Sequence, residues 1–491
     1  MTRRGGAAAC HMVSPVRSHD RLSALDTTFL HLERVDTPMH TGALAVFEGG
    51  PLSDERGRFR LADVRALVAS RLHLIPRFRR RVMHVPLDAG SPVWVDDEDF
   101  DVAYHVRLAR LPEPGTRAQL LDLFERIQMR LLDRRRPLWE LWFVDGLEGG
   151  EVGLVMKAHH ALIDGISGVD VALAILDVAP EPVWLEAPPW RPQPGPSPGR
   201  LLLDSVRERV LSPRGPASAR RPADEPADPA RRSGRLARSV TGVATVAGSV
   251  AVAPRTSLNH PVGPARRFGL VRVPFDDVQA VRRAFGGTVN DVVLAGLGGG
   301  VARLLDARGE LVPGLTLTVF CPVSLRDDGD RMRLGNRLSA MFVPLPVGEP
   351  DPVARLHAIR TATADLKHRG QPVGAATLLG LAEYVPPPVV GLAARAAHRQ
   401  PFCNLICTNI PGPPAPLYCL GARMLEAYPL VPLSINMNLG VAVLSYAGQV
   451  HVGLLADRDR WPDLGVLEAG LDEAFAELRK LAESAPGPVE R

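Results

Sequence analysis

The sequence predicts an α/β protein built in two halves, and three observations carry that prediction. Strand and helix periodicities are interspersed through both halves rather than segregated. Between Glu181 and about Arg238 the composition shifts to Pro, Arg, Ala and Ser, and hydrophobic periodicity disappears apart from a patch at Leu201–Val210. The chain has 491 residues, 46% of them apolar, which is too long for one ordinary core and apolar enough to exclude wholesale disorder. The expected organisation is an N-terminal domain over 21–180, a Pro/Arg-rich linker over 181–238 and a C-terminal domain over 239–482. No repeat of the length that marks a solenoid is present.

In the first half, His40 to Phe47 reads as a strand. Leu61, Val64, Val68, Leu72 and Ile75 recur at helical spacing until Pro76 stops the run. Trp139–Val144 and Val152–Ala158 read as strands around the turn Asp145–Gly150, and Ile166–Val178 as a helix with Ile166, Val169, Leu173 and Leu176 on one face. In the second half an apolar helix is expected over Asn290–Leu305 after the Gly286-Gly287 break, with strands over Leu315–Val323 and Leu338–Pro344. Leu439–Ser445 and Val450–Leu455 form a hairpin through Ala447-Gly448. Leu467, Leu471, Phe475 and Leu478 mark a last amphipathic helix.

Composition removes several classes of function. The net charge is 58 − 54 = +4, and Lys157, Lys367 and Lys480 are the only lysines, so the basic charge is almost all arginine. That balance is no nucleic-acid footprint, and 5% aromatic residues make a poor stacking surface for single strands. Cys10, Cys321, Cys403, Cys407 and Cys419 are odd in number and lack CxxC spacing, against both a disulfide framework and a structural zinc site. This suits a reducing cytoplasm. Gly5 to Cys10 is too short for the apolar core of a signal peptide, and Val240–Pro254 is shorter than a bilayer span. A soluble or peripheral protein is expected.

The chemistry is concentrated in VGLVMKAHHALIDGISGVDVALAIL, which reads strand, then His159-His160-Ala161-Leu162-Ile163-Asp164-Gly165, then helix. A neutral imidazole at a strand end can accept a hydroxyl proton while the strand fixes its position. Successive strand residues point to opposite faces, so His159 and His160 do not readily share one metal ion. Asp164 stands where the chain turns into the helix, and Gly165 permits backbone angles denied to other residues there. Gly298-Gly299-Gly300 lacks GxGxxG spacing and reads as close helix packing.

HHxxxDG resembles the signature of the chloramphenicol-acetyltransferase-like acyltransferases, which include peptide-synthetase condensation domains. Further segments narrow the resemblance to the bacterial wax ester synthase/acyl-CoA:diacylglycerol acyltransferase family. These are Leu22-Ser23-Ala24-Leu25-Asp26 with Pro38-Met39-His40, Arg136-Pro137-Leu138-Trp139-Glu140 around the PLW triplet, and Asn290-Asp291 heading a helix. Pro322-Val323-Ser324-Leu325-Arg326 with Gly335-Asn336, Thr408-Asn409-Ile410-Pro411-Gly412-Pro413, and Asn438 with Ser445-Tyr446 complete the pattern. It extends from about residue 21 to 482; residues 1–20 have no counterpart and the linker is unusually long.

The resemblance implies two chloramphenicol-acetyltransferase-like α/β domains with the active site in the crevice between them. It implies transfer of a fatty acyl group from acyl-CoA, as co-substrate and with no cofactor or metal, to diacylglycerol or a long-chain alcohol. His160 would be the general base, His159 would support the strand end, and Asp164 and Gly165 would shape the turn, with Arg326 a plausible partner for Asp164. Asn290 is read either as a donor to the oxyanion or the substrate, or as the cap of its helix. Pro137, Leu138, Trp139, Arg326, Asn336 and Asn409 would lie on the substrate side, Trp139 either lining an acyl channel or belonging to the core. Arg77–Arg81 and Arg134–Arg136 would meet CoA phosphates or anionic lipid, or form a solvated face. Partners are then acyl-CoA, a lipid acceptor and a lipid surface, at the inner membrane or at lipid inclusions from the cytoplasmic side. The rivals are a condensation domain or small-alcohol acetyltransferase, and a non-catalytic lipid-binding paralogue.

Overall fold

The computed structural model describes residues 20–163, 165–211, 252–324, 338–368, 401–433 and 436–485. The first half runs β1 (Asp20–Arg21), α1 (Ala24–Leu32), β2 (His40–Phe47), α2 (Leu61–Arg71), β3 (Arg80–Met83), β4 (Val93–Asp96), α3 (Val102–His105), β5 (Val106–Arg110), α4 (Arg117–Met129), β6 (Trp139–Asp145), β7 (Val152–His159) and α5 (Gly165–Ile175). After α6 (Pro198–Leu211) come β8 (Arg266–Pro274), α7 (Phe275–Phe285), α8 (Val289–Ala307), β9 (Leu317–Ser324), β10 (Leu338–Leu345) and α9 (Pro352–His368). The chain closes with β11 (Leu405–Pro411), β12 (Tyr418–Cys419), β13 (Ala422–Leu430), β14 (Leu439–Tyr446), β15 (Gln449–Asp457) and α10 (Leu464–Ser484).

Two six-stranded sheets carry the molecule, ordered β12-β13-β2-β7-β6-β5 and β10-β9-β11-β14-β15-β8; β1-β4-β3 forms a small third sheet. β12 and β13 belong to the second half of the chain yet complete the first sheet, β13 pairing antiparallel with β2 from Leu430↔Gly42 to Met424↔Phe47. A sequence boundary near residue 239 therefore separates segments of chain but not the two sheets. The reason is hydrophobic coverage: β2 is buried almost throughout and takes a partner on each side, β7 on one and β13 on the other.

Local chemistry sets the helix starts. Ser23 caps α1 by accepting the Asp26 N–H at 3.0 Å, which gives the Leu22–Asp26 segment a structural purpose. Thr116 with Gln119, and Thr288 with Asp291, close reciprocal capping boxes on α4 and α8. Ala447 (φ 45°) and Gly448 (φ 79°) both sit in the left-handed region, as a tight β14–β15 hairpin requires. The glycine run behaves as helix packing: a Cβ on Gly299 would sit 2.7 Å from Ala474 Cβ, and one on Gly300 2.8 Å from Leu471.

The region expected to be a featureless linker begins with structure. Leu201 of α6 is buried against Val93 and Val95, Ser205 accepts a hydrogen bond from Arg21 at 3.0 Å, and the Gln193 N–H donates to Asp96. Leu201, at the head of that short apolar patch, thus packs on the small sheet. Between the large sheets, α4 is the clasp. Leu120, Phe124 and Ile127 join Leu44, Val46 and Tyr428 of one sheet to Phe268 and Leu455 of the other. Glu125 accepts the Phe268 N–H at 2.8 Å and pairs with Arg458, and Arg266 donates to the Asp36 carbonyl at 2.6 Å.

Among the described residues no single helix is long and apolar enough to cross a bilayer. The bent pair α7–α8 passes by composition alone, but α8 is core, covered by α10 and α9.

Candidate active site

The histidine pair sits where β7 ends. His159 pairs with His40 across β2–β7, its backbone N–H donates to Leu138 O at 3.0 Å, and the N–H of His160 donates to Met39 O at 2.8 Å. The Pro38-Met39-His40 and Pro137-Leu138-Trp139 segments therefore hold the two histidines from either side. The rings then part. His160 is half-buried and stacks on Phe29 of α1, ring centroids 4.1 Å apart and 13° from parallel. His159 is fully buried, and its Nδ1 accepts the Ala161 N–H at 3.0 Å. An accepting Nδ1 carries no proton, so the neutral ring bears its hydrogen on Nε2.

That Nε2 faces a buried carboxylate. Glu33, the C-cap residue of α1, has a side chain only 2% exposed and places Oε1 3.4 Å from His159 Nε2 and 3.4 Å from His40 Nε2. The Met39 N–H donates to Oε1 at 3.3 Å, and Arg134 donates to Oε2 at 2.9 Å. Burial works to raise the Glu33 pKa, but the hydrogen bond from His159, the attraction of His159 and His40 when they take protons, and the Arg134 bond outweigh it and hold it at about 2. His40 donates from Nδ1 to Gln128 O at 2.8 Å; burial first, then the charge of Lys157, push its pKa to about 3. Lys157, buried on β7, donates to Ile127 O in the last turn of α4 and to Arg130 O just past it, and burial lowers it to about 8.

On the other side of the sheet a cavity of about 120 Å3 opens between the two halves of the chain. One water needs roughly 10–15 Å3, so this is room for more than a lone solvent molecule. Its walls are apolar: Leu67 and Val68 of α2, Val169 and Ala172 of α5, Phe143 of β6 and Leu444 of β14 are among them. Ile163, three residues past His160, lines it as well; His160 itself stands beyond that wall.

The expected site residues fall into three groups. His159, His160, Pro137, Leu138 and Trp139 converge. Trp139 both lines the cavity and is anchored in the core, its Nε1 donating to Phe78 O at 2.8 Å and its ring stacked on His105. Pro137 and Leu138 are buried, and Gly165 opens α5. Asn290 and Asn409 lie on the second half. Asn290 is in the first turn of α8, whose cap is Thr288, so the capping alternative for Asn290 is replaced. Asn409 is half-buried on β11 opposite Val443, next to cavity-lining Ile410. Asp164, Arg326 and Asn336 lie outside the described residues.

The arginine clusters are engaged within the fold. Arg79 lies over Trp190 and Arg77 over Trp94, Arg80 pairs with Asp20 and Asp96, Arg134 with Glu33 and Arg135 with Asp133. Among the described residues no group of three His, Cys, Asp or Glu side chains is arranged to hold a metal ion. Sequence reasoning missed Glu33 and Phe29, which carry no local signal. Lys157 did carry one, a lone charge inside an apolar strand.

The model of the wax ester synthase/diacylglycerol acyltransferase catalytic domain matches residues 22–293, and that of the WS/DGAT C-terminal domain matches residues 334–479. This chain belongs to that family. It is 32% identical over 463 residues to a probable diacylglycerol O-acyltransferase of Mycobacterium tuberculosis, a match covering 94% of this chain and 96% of that protein. A second putative diacylglycerol O-acyltransferase of the same species is 32% identical over 475 residues, covering 95% and 91%. Among solved structures, the wax ester synthase/diacylglycerol acyltransferase of Marinobacter aquaeolei superposes with a TM-score of 0.67 at 25% identity, covering 94% of this chain and 100% of that one. The first condensation domain of the calcium-dependent antibiotic synthetase shares the fold, with a TM-score of 0.60 at 15% identity, covering 96% and 98%. The WS/DGAT member is thus an acyltransferase by descent, with the two-domain α/β architecture expected of it.

Proposed function

We propose that this enzyme transfers a fatty acyl group from acyl-CoA to a hydroxyl of diacylglycerol, a long-chain alcohol or both, with His160 as general base. The observation that carries the reading is the seating of His160: a half-buried imidazole on a rigid strand end, stacked on Phe29, with an apolar cavity behind the adjoining Ile163. His160 takes the acceptor's hydroxyl proton as its oxygen attacks the thioester carbonyl. The C–S bond then breaks and the imidazolium returns the proton to the departing CoA thiolate. General-base catalysis contributes roughly 10²–10⁴-fold, and alignment of the two substrates supplies much of the rest.

No acyl-enzyme is needed. The described cysteines suit that view: Cys321, Cys407 and Cys419 are buried, and burial raises each thiol, Cys407 and Cys419 to about 12. The cavity suits a fatty chain because nearly all of its lining is hydrocarbon. No cofactor enters this scheme, since acyl-CoA arrives as co-substrate. Amphipathic substrates call for a lipid surface, so the protein would work against the inner membrane or lipid inclusions on the cytoplasmic side.

The test is CoA release from palmitoyl-CoA with diacylglycerol, hexadecanol or no acceptor, alongside His160→Ala. Acceptor-dependent release that falls at least about 100-fold in the variant is expected. Release unaffected by the substitution removes His160 as the base. Lipid binding without release under any acceptor favours the non-catalytic alternative.

A further inference from the structure

We infer that Glu33 is a positioning residue for the histidine pair: its buried carboxylate fixes the ring of His159 and the backbone of Met39, and through them the seat of His160. This inference rests on His160 being the base.

Three partners converge on that one side chain. Oε1 faces His159 Nε2 at 3.4 Å and accepts the Met39 N–H at 3.3 Å. Oε2 is held by Arg134, which also donates to Leu30 O of α1 at 2.8 Å. Met39 passes the restraint on, because its carbonyl receives the His160 N–H. Glu33 also ends the helix that carries Phe29, the ring on which His160 stacks. Since Nδ1 of His159 accepts from Ala161, its Nε2 carries the hydrogen, and the atom it faces, at 3.4 Å, is the acceptor Oε1.

A carboxylate suits the donors that dominate this pocket, His40 Nε2 being the one facing atom without a hydrogen. Oε1 faces the N–H groups of His159 and Met39 and Oε2 the Arg134 guanidinium, whereas a glutamine of the same shape has one oxygen and must turn its NH2 against His159 and Met39, meeting only the bare Nε2 of His40, or against Arg134. The charged and titratable groups around Glu33 are Arg134, His40 from β2, His159 from β7 and, further away, Lys157 from β7. Its negative charge lies behind the histidine pair and favours a proton arriving there.

The experiment compares wild type, Glu33→Gln, Glu33→Asp and His160→Ala in acceptor-dependent CoA release from palmitoyl-CoA, with pH profiles, thermal melts and histidine ¹⁵N spectra. Glu33→Gln is expected to lower kcat roughly 10- to 100-fold, the scale seen when the orienting partner of a working imidazole is removed, with KM for palmitoyl-CoA within about twofold. The acid limb of its kcat profile moves to lower pH, and Glu33→Asp, which keeps the charge, recovers part of the rate and the wild-type limb. The wild-type spectrum shows His159 protonated on Nε2.

Three results would each overturn the inference: wild-type kcat and pH profile in Glu33→Gln, equal losses in both Glu33 variants with a lower melting temperature and an unmoved pH limb, or a His159 Nδ1–H resonance in the wild type. The base assignment fails separately, if His160→Ala keeps acceptor-dependent release; the ¹⁵N spectrum still decides the role of Glu33 in that case.

Discussion

The two large sheets bury polar groups in different ways. The first sheet conceals charge on both faces: Glu33 and Lys157 behind β7, and the Arg71–Asp177 pair at the ends of the helices that cover the cavity side, all have side chains almost out of contact with solvent. The second sheet meets its buried charges with backbone and hydroxyl groups instead: Asp291 accepts the Thr288 N–H at 2.8 Å and the Thr363 hydroxyl at 2.7 Å, and Arg355 donates to Glu349 O. Asn404 pins surrounding chain segments by accepting the Thr318 N–H at 2.8 Å and donating to Pro254 O at 2.6 Å. Buried charge is costly unless fully partnered, and partnering demands fixed geometry. The sheet that carries the histidines thus pairs buried charge with charge from distant segments, and the other serves as wall, clasp partner and strand donor.

Removing a partner from a buried ion pair should be the most damaging way to test this contrast. Arg71 is held by Asp177, Ile175 O and Val183 O, so Asp177→Ala strands a buried guanidinium and should cost about 3–5 kcal/mol in a denaturant melt. In the second unit the comparable weakness is overpacking. Gly300→Val would press on Leu471 of α10 and should cost about 1–3 kcal/mol. If the valine proves the more destructive, the buried ion pair is not what distinguishes the sheets.

Acid reaches both units through buried imidazoles. Burial holds His105 and His451 at about 4 and His40 at about 3. Between about pH 6.5 and 4 the unfolded chain takes protons that the folded one refuses, so stability falls as pH falls. A melting temperature that stays level from pH 7 to 4 contradicts this. The smallest effect expected is stabilising. His451 is fully buried, and neither ring nitrogen has a hydrogen-bond partner in the structure, so His451→Leu should add about 1 kcal/mol at pH 7 and flatten part of the acid slope.

Much of the fold was legible because local rules and tertiary structure agreed. β2 spans His40–Phe47 as read, the Ala447-Gly448 turn closes its hairpin, and the α8 glycines pack a helix instead of cradling phosphate. The site was legible where chemistry is written in adjacent letters, as in His159-His160 and Pro137-Leu138-Trp139. Glu33 was not. Its neighbours His159 and Arg134 lie more than a hundred residues away in the chain, and an acidic residue at a helix end reads as solvent-facing.

Sequence alone determined the family, the elements and the position of the histidines, because periodicity, capping and strand alternation act over a few residues. Tertiary structure alone decided that β13 completes the first sheet, that Thr288 rather than Asn290 caps α8, and that a buried carboxylate stands behind His159. Those outcomes depend on which distant surfaces exclude water together, and burial of that kind is a property of the assembled fold, not of any short stretch of chain.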